Sequence, residues 1–247
     1  MPTRLEICCF NLPSALIAQE TGAHRVELCA SPEEGGTTPA PGTIRMVREL
    51  LSIDVYPIIR PRGGDFLYTE EEYQVMARDL QFCREAGCNG VVIGMLKSDG
   101  SIDKDRCARL VELAYPMGVT FHRAFDWAAN PFEALEDIIS IGCERILTSG
   151  QRPTAPEGAD LLKDLVRQAD ERIIIMPGSG IRAANLAALA SHTEASEFHS
   201  SARVRQVSKM EFVNTSMMEE LSYMLADRKE IEGMLAVLKE NQKEEER

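Results

Sequence analysis

The sequence predicts an α/β fold, a single parallel (β/α)8 TIM barrel, and three observations carry that prediction. Short apolar, β-branched runs alternate with amphipathic stretches from end to end, the runs number eight, and 247 residues suit one barrel core of about 250. No composition break divides the chain, so residues 1–247 read as one domain with a C-terminal helical segment at about 217–247.

In order, a strand over residues 5–9 precedes a helix over 13–20, and a second strand over 25–29 precedes a helix over 43–51. The third strand, 55–60, leads to the clearest helix, 69–86. There Thr69 and Glu72 have capping-box spacing, and Tyr73, Met76, Ala77, Leu80 and Cys83 form one apolar stripe. Strands over 90–94, 119–122, 145–148, 173–177 and 195–199 alternate with helices over 103–114, 130–141, 157–169 and 184–190. A last helix is expected within 217–239, and the charged tail 243–247 reads as a solvated, frayed end. The competing architecture is an open doubly wound sheet. Cys8-Cys9-Phe10-Asn11 stands where that fold places its Gly-rich dinucleotide turn, so no nucleotide cofactor is expected.

A hydrophobic content of 44% supports a large core, and a formal charge of -12 disfavours nucleic acid and anionic membranes as partners, since both call for a positive field. Met1 to Arg4 lead directly into the first strand with no apolar leader, and no apolar run is long enough to span a membrane, so a cytoplasmic protein is expected. Seven cysteines, an odd number, then point to free thiols and to a metal or reactive site rather than to disulfides. Cys83 and Cys107 fall on apolar helix faces, and Cys88 and Cys143 follow helix-stopping glycines, so these four read as packing. Cys9 faces the helices, while His24 and His192 sit in turns and are given no role.

Barrel sites are built at the carboxyl ends of the strands, where residues two apart share a face. Glu6 therefore goes with Cys8, Glu27 with Cys29 and Glu197 with His199, and barrel closure sets these three strands side by side. Two readings of the thiols stand. Cys8 and Cys29, with the His199 imidazole near, could hold copper(I) or zinc; or they are small residues at the mouth, with the glutamates paired to Arg25, Arg60 or Arg123.

Other polar groups at the strand ends also admit two readings each. Arg60 and Arg62, with Gly63-Gly64 and Asp65, suit a carboxylate or phosphate ligand, or the arginines balance buried acids. Gly178 and Gly180 lead into a helix start that could receive phosphate, or form a plain turn. His122 and Asp126 fit an acid–base pair, or Asp126 caps a helix and His122 is satisfied in a polar core. The catalytic candidates are His122, Asp126 and Glu197; Arg123 and Ser149 complete the polar set.

LEIC and VELC at the first two strands, GGTTPAPG at 35–42, RPRGGDF at 60–66, FHRAFD at 121–126, LTSG at 147–150, MPGSGIR at 176–182 and EFHSSAR at 197–203 together resemble the CutC family, named for copper homeostasis. The resemblance covers about residues 5–203, with Ala40 at a loop position that often carries serine in the family. It implies one barrel, a cytoplasmic location, homodimers or higher homo-oligomers, and copper(I) bound by two cysteines that fall on Cys8 and Cys29. The alternative function is a barrel enzyme of unassigned reaction acting on a small anionic metabolite. In that case Glu6, Glu27, Arg60, Arg62, Asp65, Arg123, Ser149, Gly178, Gly180 and His199 are the ligand-binding candidates, and His122 or Glu197 moves a proton.

Overall fold

A computed structural model describes residues 3–245, in which strand and helix alternate as the apolar runs dictate. The barrel is built in chain order from β1 (Arg4–Cys9), α1 (Leu12–Thr21), β2 (Arg25–Leu28), α2 (Pro41–Leu50), β3 (Asp54–Pro57), α3 (Glu70–Glu85), β4 (Gly90–Ile93) and α4 (Lys104–Ala114). It continues with β5 (Gly118–Phe121), α5 (Pro131–Ile141), β6 (Arg145–Thr148), α6 (Ala159–Ala169), β7 (Ile174–Pro177), α7 (Ala183–Thr193) and β8 (Glu197–Ser200). Two four-stranded parallel sheets, β3-β2-β1-β8 and β4-β5-β6-β7, make up the (β/α)8 fold. A parallel bridge between Ile58 and Val92 joins them at one seam, and β7 lies against β8 at the other.

Local chemistry sets the helix starts. Thr69 and Glu72 form the expected capping box, with the Glu72 N–H donating to Thr69 Oγ1 at 3.2 Å and the Thr69 N–H to Glu72 Oε2 at 2.8 Å. Asn11 starts α1 by accepting the Ser14 N–H at 2.9 Å, and Gly22, at φ 94°, ends it.

Strand alternation separates two buried environments. Leu5, Ile7, Cys9, Val26, Leu28, Ile93, Phe121, Ile146 and Phe198 point outward and pack with the helices in the main core. A fully buried aliphatic of this kind contributes about 1.5–3 kcal/mol, which offsets the cost of an interior that is largely polar. Cys83, Cys88, Cys107 and Cys143 belong to that outer core, and burial pushes the Cys143 thiol up to about 12, as befits a packing residue.

Beyond β8 the structure corrects the expected C-terminal helix. Residues 217–227 are not helical: β9 (Arg203–Val207) pairs antiparallel with β10 (Ser222–Ala226), and α8 (Arg228–Glu245) begins only afterwards. The Asn11 side-chain amide donates to Met224 O at 2.8 Å and the Ala226 N–H donates to Ser14 Oγ at 3.1 Å, so α1 fixes β10 as a strand. The tail expected at 243–247 is helical through Glu245, and its last two residues lie outside the described ones. Among the described residues no helix is long and apolar enough to cross a membrane.

Candidate metal centre at the barrel mouth

Parallel register sets the levels inside the barrel. Glu6 lies opposite Arg25 on β2 and His199 on β8, and one step up Cys8 lies opposite Glu27. The acids and soft donors of neighbouring strands therefore meet crosswise, Glu6 with His199 and Glu27 with Cys8.

The lower level is an ion network. Arg25, 1% exposed, donates through Nε to Glu6 and through Nη2 to Glu197 Oε2 at 2.6 Å. Arg145 donates to the same Glu197 oxygen at 3.1 Å, to Thr120 Oγ1 at 3.3 Å and to Glu144 at 3.0 Å. Both guanidiniums stack on Tyr56, 5.2 and 5.4 Å from its ring centre. Glu197 is thus held by two cations beneath the mouth, away from the cavity above, which places this catalytic candidate in a structural position.

The upper level holds the thiols. Cys8 Sγ and Cys29 Sγ are 3.6 Å apart, and a donor atom from each of Cys8, Glu27 and Cys29 lies within 4.8 Å of the others. His199 Nδ1 is 2.7 Å from Glu6 Oε1, and its Nε2 is 3.7 Å from Glu27 Oε2. Gly36, at φ 101°, covers Cys29 so closely that a Cβ there would stand 3.3 Å from its sulfur.

Electrostatics differentiate these buried groups. The hydrogen bond between the two sulfurs brings the Cys8 thiol down to about 6 against the effect of burial, helped by His199. Burial and the neighbouring Cys8 charge push both Cys29 and Glu27 well up. Burial disfavours the charged form of His199, but Cys8 and Glu6 outweigh it and raise the imidazole well above its usual value. Burial likewise opposes ionisation of Glu6, and Arg25 and His199 reverse this and hold it well below the carboxylate range. These shifts bias Cys8 toward the thiolate and His199 toward the imidazolium, and bias Cys29 and Glu27 toward their protonated forms.

The other predicted residues divide between the cavity and its supports. A cavity of about 1130 Å³ opens over the thiols and is lined by Cys8, Glu27, Arg60, His122, Arg123 and His199, with Asp65 and Gly180 also on its walls. Arg62 turns away to Glu72 at 2.5 Å and Asp65 at 3.0 Å. Gly178 gives its N–H to Thr148 O at 2.9 Å, and a Cβ there would strike Leu147 Cδ1 at 2.4 Å, so it serves clearance rather than anion binding.

Of the two readings of His122 and Asp126, the acid–base pair does not form. His122 Nδ1 accepts the Ala124 N–H at 3.1 Å, whereas Asp126 accepts from Thr148 Oγ1 at 2.5 Å, from the Ser149 N–H at 3.0 Å and from Arg123 at 2.8 Å. Asp126, Arg123 and Ser149 tie the loops after β5 and β6 together. Arg145, Tyr56 and Trp127 escaped the sequence reading. Arg145 is a strand-starting cation whose inward position follows from its two-residue spacing to Leu147, and Trp127 is the chain's single tryptophan.

Comparison with known proteins bears on this geometry. The CutC family model matches residues 3–204. A CutC family protein of Chromobacterium violaceum is 52% identical over 208 residues, 84% of each chain, and one of Parabacteroides distasonis is 51% identical over 86% of this chain and 88% of its own. A crystal structure described as a copper homeostasis protein CutC, from Streptococcus agalactiae, superposes with a TM-score of 0.77 at 30% identity, covering 81% of this chain and 98% of the other. Phosphoribosylanthranilate isomerase of Thermotoga maritima shares the fold, with a TM-score of 0.60 at 15% identity over 96% of this chain and 99% of its own.

Proposed function

The chain belongs to the CutC family, and from that premise we propose that it binds copper(I) through Cys8 and Cys29 as part of copper homeostasis. The observation that carries the reading is the buried thiol pair, with sulfurs 3.6 Å apart. Thiolates are soft donors that select copper(I), and the Cys8 thiol, down to about 6, supplies one thiolate at neutral pH. Cys29 supplies the second by losing its proton on binding, so copper uptake releases acid. Burial biases Glu27 toward its protonated form, which favours the two sulfurs as the donors, whereas a structural zinc site calls for four ligands. Two reduced thiols also favour a cytoplasmic location. Association into homo-oligomers would cover apolar side chains that the β9–β10 hairpin leaves exposed, Phe212 and Met218 among them.

Competition against a copper(I) chelator tests the reading. The reduced protein takes up one copper(I) per chain, and C8S/C29S takes up none at the same buffered concentration. Equal affinity in the double variant would overturn the proposal.

A further inference from the structure

The wall of the mouth at the ends of β3 and β5 carries polar groups that the thiol centre does not use. Arg60 is 4% exposed, and its guanidinium donates to the carbonyls of Glu34, Gly36 and Gly64 at 2.6, 2.7 and 2.8 Å. Among the described residues no carboxylate pairs with it. Arg60 Nε, the hydroxyl of neighbouring Tyr68 and Nε2 of His122 are buried with no hydrogen-bond partner among the described residues. Buried polar atoms are satisfied in the great majority of cases, and a buried cation is costly unless paired. Two of these atoms, on Arg60 and His122, belong to residues that line the cavity, and they call for a cause.

Geometry fixes the chemistry of His122. Because Nδ1 accepts the Ala124 N–H, the neutral ring carries its proton on Nε2 and presents a donor there. Burial and then the Arg60 charge hold the imidazole down to about 3, so it is a neutral donor throughout the physiological range. Gly94 makes room for it, since a Cβ at that position would stand 2.4 Å from the ring.

The surrounding cavity fits an organic ligand. Its 1130 Å³ is much more than a bare ion occupies. In a chain of charge -12, the cavity is faced by the cations Arg60, Lys97, Arg123, Arg182 and Arg203 and by the three acidic side chains Glu27, Glu34 and Asp65. Phe66 meets His122 in a tilted contact, ring centroids 5.1 Å apart and planes at 48°, and lies under Arg60 at 5.0 Å, while Trp127 stands at the rim 73% exposed. An indole left in solvent at the edge of a cationic cavity is placed to cover a planar apolar group.

We propose that this cavity binds a small organic anion, its carboxylate or phosphate head accepting from His122 Nε2 beside the Arg60 guanidinium and its planar body lying against Phe66 and Trp127. The head group supplies the negative charge and the acceptor that this wall lacks. The head-group position shares its cavity with Cys8 but does not rest on the copper reading.

Trp127, as the only tryptophan, reports occupancy through its own fluorescence. Reduced, chelator-treated full-length protein is titrated with benzoate, with phenyl phosphate and with neutral benzamide. At least one of the anions gives a saturable change, and benzamide binds at least about tenfold more weakly, as loss of a charged hydrogen bond requires. Preference between the two anions assigns the head group as carboxylate or phosphate. Arg60→Met and His122→Phe each weaken the preferred anion by about tenfold or more. The latter keeps a ring over Gly94 and decides the matter if Arg60→Met does not fold. No saturable change with either anion at millimolar concentration, equal binding of benzamide, or full affinity in a folded His122→Phe variant would each overturn the proposal.

Discussion

Replacing Arg25 with methionine probes the ion network beneath the thiols. Methionine nearly fills the volume of the arginine stem, so the packing loss is small and the electrostatic loss dominates. Arg25 bridges Glu6 and Glu197, and both carboxylates stay buried when it goes. Removing one partner from a buried pair costs about 3–5 kcal/mol. Glu6 keeps His199 at 2.7 Å and Glu197 keeps Arg145 at 3.1 Å, which places the loss near the lower end, about 3 kcal/mol or roughly 150-fold in the unfolding constant. Urea unfolding followed by circular dichroism would show a midpoint lower by about 1 M for a slope of about 3 kcal/mol/M. Adding Glu6→Gln removes one of the stranded charges, so the double variant loses less than the sum of the single ones. A loss below about 1 kcal/mol for Arg25→Met, or simple additivity in the double variant, would refute the network as the support of the mouth.

Three further outcomes follow from the same geometry. Glu6 has a folded-state pKa below its unfolded value of about 4.3, so its contribution is full above that pH and is lost as pH falls below it; urea midpoints from pH 7 to pH 3 should decline for the native chain and flatten in Glu6→Gln. Gly178→Ala drives a Cβ to 2.4 Å from Leu147 Cδ1 and costs about 1–3 kcal/mol by overpacking, and Leu147→Ala in the same chain relieves part of that loss in the same unfolding assay. Cys9 points into the outer core, so Cys9→Ser lowers stability by about 1–3 kcal/mol through a buried hydroxyl while copper(I) affinity by chelator competition stays unchanged; a drop in affinity would contradict the sorting of the thiols by face.

The barrel was legible because both faces of its strands are selected, the outer one for apolar side chains and the inner one for Glu6, Arg25, Glu27 and Glu197 at two-residue spacing. Alternation also separated Cys8 and Cys29 from Cys9, while helix faces set aside Cys83 and Cys107 and helix-stopping glycines set aside Cys88 and Cys143. Relations that depend on register or loop path were not legible. Nothing local tells that Glu6 is level with His199 rather than below it, and that offset decides which acid meets which donor. His122 and Asp126 are four residues apart, but a 3-10 turn over Arg123–Trp127 carries Asp126 away to Thr148 and Ser149. The segment Ser222–Ala226 has no β-branched residue and reads as helix; its strand form comes from β9 and from anchors on α1 distant in sequence.

The central claim is that two sulfurs, and no larger ligand set, hold copper(I) at the mouth. X-ray absorption at the copper edge of the reduced, copper-loaded protein tests it most directly. The first shell should contain two sulfur scatterers from Cys8 and Cys29, and C8S/C29S should lose that signal entirely. A first shell of nitrogen and oxygen alone, or sulfur scattering that survives in the double variant, would contradict it.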